Sequence, residues 1–100
     1  MAENKKIIIC EYAYSALHDF ASFAKFVSYA ENLDQVEELF QNENCRKNYQ
    51  HIWFELEIIN ASALSDWEDE GRPVDWKNYW ESHYKQDSTE LVNKLIAVLK

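Results

Sequence analysis

Apolar positions cluster into short runs separated by polar segments, and the period within each run predicts an element. Residues 5–10 end in four consecutive apolar residues, Ile7, Ile8, Ile9 and Cys10. A β-branched run of this length between polar flanks is the signature of a short buried strand. Ser15 then stands where it can cap a helix whose apolar face is Leu17, Phe20, Ala21, Ala24 and Val27, widened by Phe23 and Phe26. Asn32, with Gln35 three residues on, has the spacing of a capping box for a second helix carrying Leu33, Val36, Leu39 and Phe40. Residues 42–48 are polar and predict a loop.

Residues 52–59 alternate. Ile52, Phe54, Leu56 and Ile58 fall on one side, and Trp53, Glu55, Glu57 and Ile59 on the other, which predicts a second strand. A helical turn over residues 60–64 leads into the acidic stretch Asp66, Trp67, Glu68, Asp69, Glu70, which Gly71 and Pro73 punctuate. Pro73 fits the first turn of a further helix, with Asp75 at the positive end of its dipole. Trp76, Tyr79, Trp80, His83 and Tyr84 follow at helical spacing, either as core or as an interface stripe. Asp87 and Glu90 open a last helix with Leu91, Val92, Leu95, Ile96 and Leu99 on its apolar face, although residues 95–99 are also short enough for a strand.

These elements predict an α/β or α+β fold, with a small two- to three-stranded sheet packed against about four helices. The long crossover between residues 5–10 and 52–59 favours parallel pairing of the two strands. Ile8, Phe20, Phe54, Leu56 and Leu95 are the expected core.

The chain of 100 residues makes a single domain, 1–100, and its 47% hydrophobic content can fill a core without staples. One glycine in the whole chain leaves no material for a phosphate-binding loop or a dinucleotide fingerprint. Eighteen acidic side chains against ten basic ones give a formal charge of −8. Nucleic acid and anionic membranes attract cationic surfaces, so a basic protein is the expected partner, with no direct nucleic-acid or membrane contact. The apolar run after Lys5 and Lys6 is too short for a secretory signal, and Cys10 and Cys45 form no CxxC pair. A cytoplasmic protein with reduced cysteines is expected.

No constellation of catalytic type stands out. His18, His51 and His83 are dispersed and lie in no metal-binding spacing, and the carboxylate pairs sit in solvated polar runs. Segment 66–70 also lacks the ligand spacing of a calcium loop. No catalytic residue, cofactor or metal is therefore expected. The informative feature is Trp67 among the carboxylates Asp66, Glu68, Asp69 and Glu70, because aromatic anchors ringed by charge are the composition of an interface.

Tyr29-Ala30-Glu31-Asn32-Leu33-Asp34, followed by Glu38, resembles the Tyr-Gly-x-Asn-Leu-Asp segment of barstar-like ribonuclease inhibitors. Lys5-Lys6 at the start of a strand, Leu17-His18 in the following helix, and a later apolar strand from Trp53 to Ile59 continue the likeness. The resemblance implies that Asp34 and Glu38 take the place of substrate phosphates in a nuclease active site, with Tyr29 in contact beside them. Ala30 stands where the family has glycine, and Glu37 where it usually has tryptophan. Nothing in the C-terminal half matches that family.

The expected function is that of an immunity protein or antitoxin: a non-enzymatic inhibitor that occludes a basic bacterial toxin, a nuclease. Its partner-binding residues would be Tyr29, Asp34, Glu38, Asp66, Trp67, Glu68, Asp69 and Glu70. The alternative is an acidic DNA mimic or anti-defence protein that binds a nucleic-acid-binding protein. A small enzyme or ligand-binding domain would instead need a deep pocket with converging polar groups.

Overall fold

Two polar side chains decide where two of the helices begin. Asp19, in extended backbone, accepts the N–H of Ser22 at 2.8 Å, and Asn42 accepts that of Cys45 at 2.9 Å. Each satisfies a first-turn donor that has no partner inside its helix. A computed structural model describes residues 2–33, 36 and 39–99. These residues form five helices: α1 (Ala2–Ala16), α2 (Phe20–Asn32), α3 (Glu43–Asp69), α4 (Lys77–His83) and α5 (Lys85–Leu99).

Among the described residues there is no strand, and the expected α/β or α+β fold is corrected to an all-helical one. Residues 5–10 belong to α1, where Ile9, Ala13 and Ala16 are buried at helical spacing while Ile7 and Ile8 are exposed. Residues 52–59 lie in the middle of α3. There Tyr49, Leu56 and Ala63 are fully buried, seven residues apart, with half-buried Ile52, Trp53, Ile59 and Trp67 beside them. On a strand Phe54 and Leu56 would share a face; on a helix they stand about 200° apart. Leu56 is accordingly buried and Phe54 is 58% exposed. Of the expected core, Leu56 and Leu95 are buried, Phe20 is half-buried, and Ile8 and Phe54 are on the surface.

Other boundaries shift with these. Ser15 lies inside α1, where its hydroxyl donates to the Tyr12 carbonyl, and Asp19 caps α2 in its place. Asn32 ends α2 instead of opening a new helix. Most of the supposed loop 42–48 is the first turn of α3, and residues 95–99 are helical. Pro73 lies in the connection before α4, because α3 closes with a reversed turn. Gly71 has φ +87°, its N–H donates to the Glu68 carbonyl, and the Arg72 N–H reaches back to the Trp67 carbonyl at 2.9 Å. This is a Schellman closure, which requires a left-handed residue where Gly71 stands.

The helices form an antiparallel bundle. α1 packs on α2, α2 on α3, α3 on α5, and α5 back on α1. The Tyr49 hydroxyl donates to the Ala30 carbonyl at 2.6 Å, and the Trp53 indole N–H to the Val27 carbonyl at 2.8 Å. As α3 advances α2 recedes, so the pair is antiparallel. Phe23, Phe26, Val27, Leu56, Val92 and Leu95 are among the apolar residues filling the core. The long axis of 43 Å is close to the ~40 Å that a helix as long as α3 spans at about 1.5 Å per residue. α4 crosses one end, where the Trp80 indole N–H points to the Leu17 carbonyl in the α1–α2 connection.

The cap at Asp19 makes a pH-dependent prediction. Its hydrogen bonds to Ser22, the backbone one first, hold the carboxyl below its ordinary value of 3.8. A depressed folded-state value contributes stability that is present above 3.8 and is lost as the pH falls through the lower folded value. Asp19→Ala is expected to cost about 1 kcal/mol in urea unfolding at neutral pH. The difference from the parent chain should shrink in strong acid, where the cap loses its charge.

Candidate functional site

The acidic segment closes α3, and two of its carboxylates, Asp66 and Glu70, turn toward the aromatic residues that follow. Asp66 accepts hydrogen bonds from two phenols on one oxygen: Tyr79 at 3.3 Å, and Tyr84. Glu70 accepts the indole N–H of Trp76. Glu68 pairs with Arg72 at 2.6 Å on the surface, and the Arg72 guanidinium lies 5.9 Å from the Trp67 ring. The Trp67 indole N–H donates to the Pro73 carbonyl at 2.9 Å, tying the connection back onto α3. Asp69 is exposed.

Stacked and edge-on rings complete this clasp. Trp76 and Tyr79 stack at 4.8 Å, Tyr79 and His83 at 3.9 Å, and Phe20 meets Trp76 edge-on at 5.5 Å. Aromatic pairs in such geometries add about 0.5–1.5 kcal/mol beyond the area they bury. The stripe from Trp76 to Tyr84 thus divides: Trp76 and Trp80 are buried, Tyr79 and Tyr84 are half-buried, and His83 is exposed. Trp67 is both held in the fold by its hydrogen bond to Pro73 and available to a partner, since it also lines an open cleft of about 580 Å³. Phe20, Val74 and Trp76 share that lining, its charged residues are Asp19 and Asp75 with Arg72 and Lys77, and Val74 is wholly exposed.

Desolvation and then the Asp66 carboxylate raise both phenols above the ordinary tyrosine value of 10.0, Tyr84 strongly. A raised folded-state value means that their contribution is complete below 10.0 and is lost as the pH climbs toward the folded value. Absorbance titration in alkali should show a late-ionising component that Tyr84→Phe removes. Asp66→Asn should bring that component to lower pH, because the charge opposing phenolate formation is gone.

The structure does not gather all the residues nominated from sequence. Asp66, Trp67, Glu68, Asp69 and Glu70 stand together at the end of α3. Tyr29 is half-buried near the far end of α2, stacked on Tyr12 at 5.0 Å. Phe20, which touches the clasp, is roughly 13 Å back along the same helix from Tyr29. Asp34 and Glu38 lie outside the described residues. The tyrosine and tryptophan donors that take up Asp66 and Glu70 escaped the sequence reading, since partners six to eighteen residues away follow no helical or strand period.

Among the described residues no group of three or more histidine, cysteine or acidic side chains could hold a metal ion. Cys10 and Cys45 are unpaired, on α1 and α3. No described helix is long and apolar enough to cross a membrane. The class of protein is thus set by its geometry: an antiparallel helical bundle whose short fourth helix is strapped across one end by an acid–aromatic clasp. No family model matches the chain, and no curated protein or solved structure is significantly similar to it.

Proposed function

We propose that the chain is a non-enzymatic inhibitor of the immunity or antitoxin kind, which binds a basic protein and occludes it, with a toxin nuclease as the target. The observation that carries this reading is the acidic end of α3, where Glu68 and Asp69 are exposed beside the cleft that Trp67, Trp76 and Val74 line. The clasp fixes the backbone beneath these groups, so little ordering remains to be done on binding. Aromatic and aliphatic surface would anchor the partner, and the net charge of −8 would steer a cationic one.

The barstar-like resemblance implies strands at residues 5–10 and 53–59, which are helical here, so the proposal stands on the acidic end of α3 and not on that resemblance. Tyr29, Asp34 and Glu38 enter only through the resemblance. A partner encoded by the adjacent reading frame provides the test, in a complex measured by surface plasmon resonance. Glu68→Gln with Asp69→Asn should slow association and flatten its salt dependence, while Val74→Asp should speed dissociation about thirty-fold, equivalent to about 2 kcal/mol. Wild-type rates for all these variants would overturn the assignment.

A further inference from the structure

A second surface has a different construction from the clasp. Along the outside of α3, Phe54 and Ile58 stand one turn apart, 58% and 51% exposed. Neither contributes to the buried face of its helix, which Tyr49, Leu56 and Ala63 define. Ile58 leads into a groove between α3 and α5 of about 340 Å³, where Ile59 and Leu91 add further apolar surface. Glu55, Asp87 and Glu90 line the same groove against the single ammonium of Lys94.

We propose that this groove docks an amphipathic helix of the basic partner, with apolar side chains against Ile58, Ile59 and Leu91 and lysines or arginines facing Glu55, Asp87 and Glu90. The inference rests on the reading of the chain as a binder of a basic protein, and adds the surface and the form of the bound segment. A furrow between two packed helices presents ridges into which a third helix interdigitates. An extended segment has less to gain, because the backbone groups of α3 and α5 are spent within their helices and offer no edge to pair with. A second copy of this chain is a poor occupant. A two-fold contact would press the same carboxylates against themselves, and each copy carries a charge of −8. Anionic partners meet the same repulsion.

The probe is a synthetic leucine–lysine peptide of about five helical turns, with leucines on one face. Its control has the same composition in scrambled order, and fluorescence anisotropy reads both. Saturable one-to-one binding is expected, with the scrambled peptide at least about tenfold weaker. Phe54→Ser with Ile58→Ser should weaken binding about tenfold, as should Glu55→Gln with Glu90→Gln, the latter also reducing its dependence on salt. Glu31→Gln, exposed on α2 and outside the groove, should change nothing.

Equal affinity for the scrambled peptide, or no binding by either, would overturn the groove. Weakening by Glu68→Gln and Asp69→Asn but not by the groove variants would also overturn it, while leaving the chain a binder of cationic protein. Failure of that broader reading has its own signature: a genuine basic partner that the unaltered chain does not bind at all.

Discussion

Trp80→Ala is expected to lower the unfolding free energy by about 3–5 kcal/mol, the range for removing a large aromatic side chain from a core. Trp80 is fully buried and is held by contacts from three directions. Its ring lies 5.0 Å from that of Phe23 and 6.0 Å from those of Phe20 and Tyr84. Its indole N–H is directed at the Leu17 carbonyl. The ring therefore joins the start of α2, the α1–α2 connection and α4, and no neighbour can collapse into so large a void. A domain of this size has about 5–15 kcal/mol of stability in all. Urea unfolding should move to much lower denaturant, and the near-ultraviolet circular dichroism of the clasp should weaken even below the transition. A loss under about 1 kcal/mol would mean that α4 does not pack on the bundle as described.

The second large effect separates two residues that stand two positions apart. Leu56→Ala should cost about 2–5 kcal/mol, since the side chain is fully buried in the core of α3. Phe54→Ala should change stability by no more than about 0.5 kcal/mol, because its ring is exposed and alanine favours the helix. In a strand both side chains would share one face and both truncations would be costly. Thermal melts of the two variants compare these outcomes side by side.

That contrast also shows where the sequence could be read and where it misled. The apolar face of α5 was legible, because Val92, Leu95 and Leu99 are buried with few large apolar residues opposite. That of α2 was legible only in part: Phe23, Phe26 and Val27 are buried, but Ala21 of the expected face is exposed and Leu17 lies outside the helix. That of α3 was not. Within residues 52–59 the outward Phe54 and Ile58 fill the gaps of the helical pattern, and a window that short satisfies a period of two. Over residues 49–63 the buried Tyr49, Leu56 and Ala63 recur every seven residues, a helical spacing that a strand of ordinary length would not sustain. α1 misled similarly, for Ile7 and Ile8 form a β-branched run with Ile9, yet only Ile9 is buried. Exposed apolar residues obscure the period of a helix without contributing to its core. Phe54 and Ile58 are of this kind, and Ile58 lines the groove between α3 and α5.

The acidic segment was visible in the sequence, but its internal role was not. Its carboxylates divide by position: Asp66 and Glu70 accept from Tyr79, Tyr84 and Trp76 within the clasp, while Glu68 and Asp69 face outward. Neutralising the first pair should therefore act through stability, and neutralising the second through the charge presented to a partner. Charge counting along the chain cannot make that distinction, since it depends on donors brought from α4 and the residues flanking it.

On the proposed function, this chain acts by stoichiometric occlusion of a basic protein. The most direct test of this is a titration of the catalytic activity of the protein encoded by the adjacent reading frame, at enzyme concentrations well above the dissociation constant. Occlusion gives a linear fall in activity that ends at one equivalent of the chain, with an association rate that drops as salt is added. Activity that persists at a large excess would contradict it. So would complete inactivation far below one equivalent, which would mean that each molecule acts on many targets and that the chain is an enzyme.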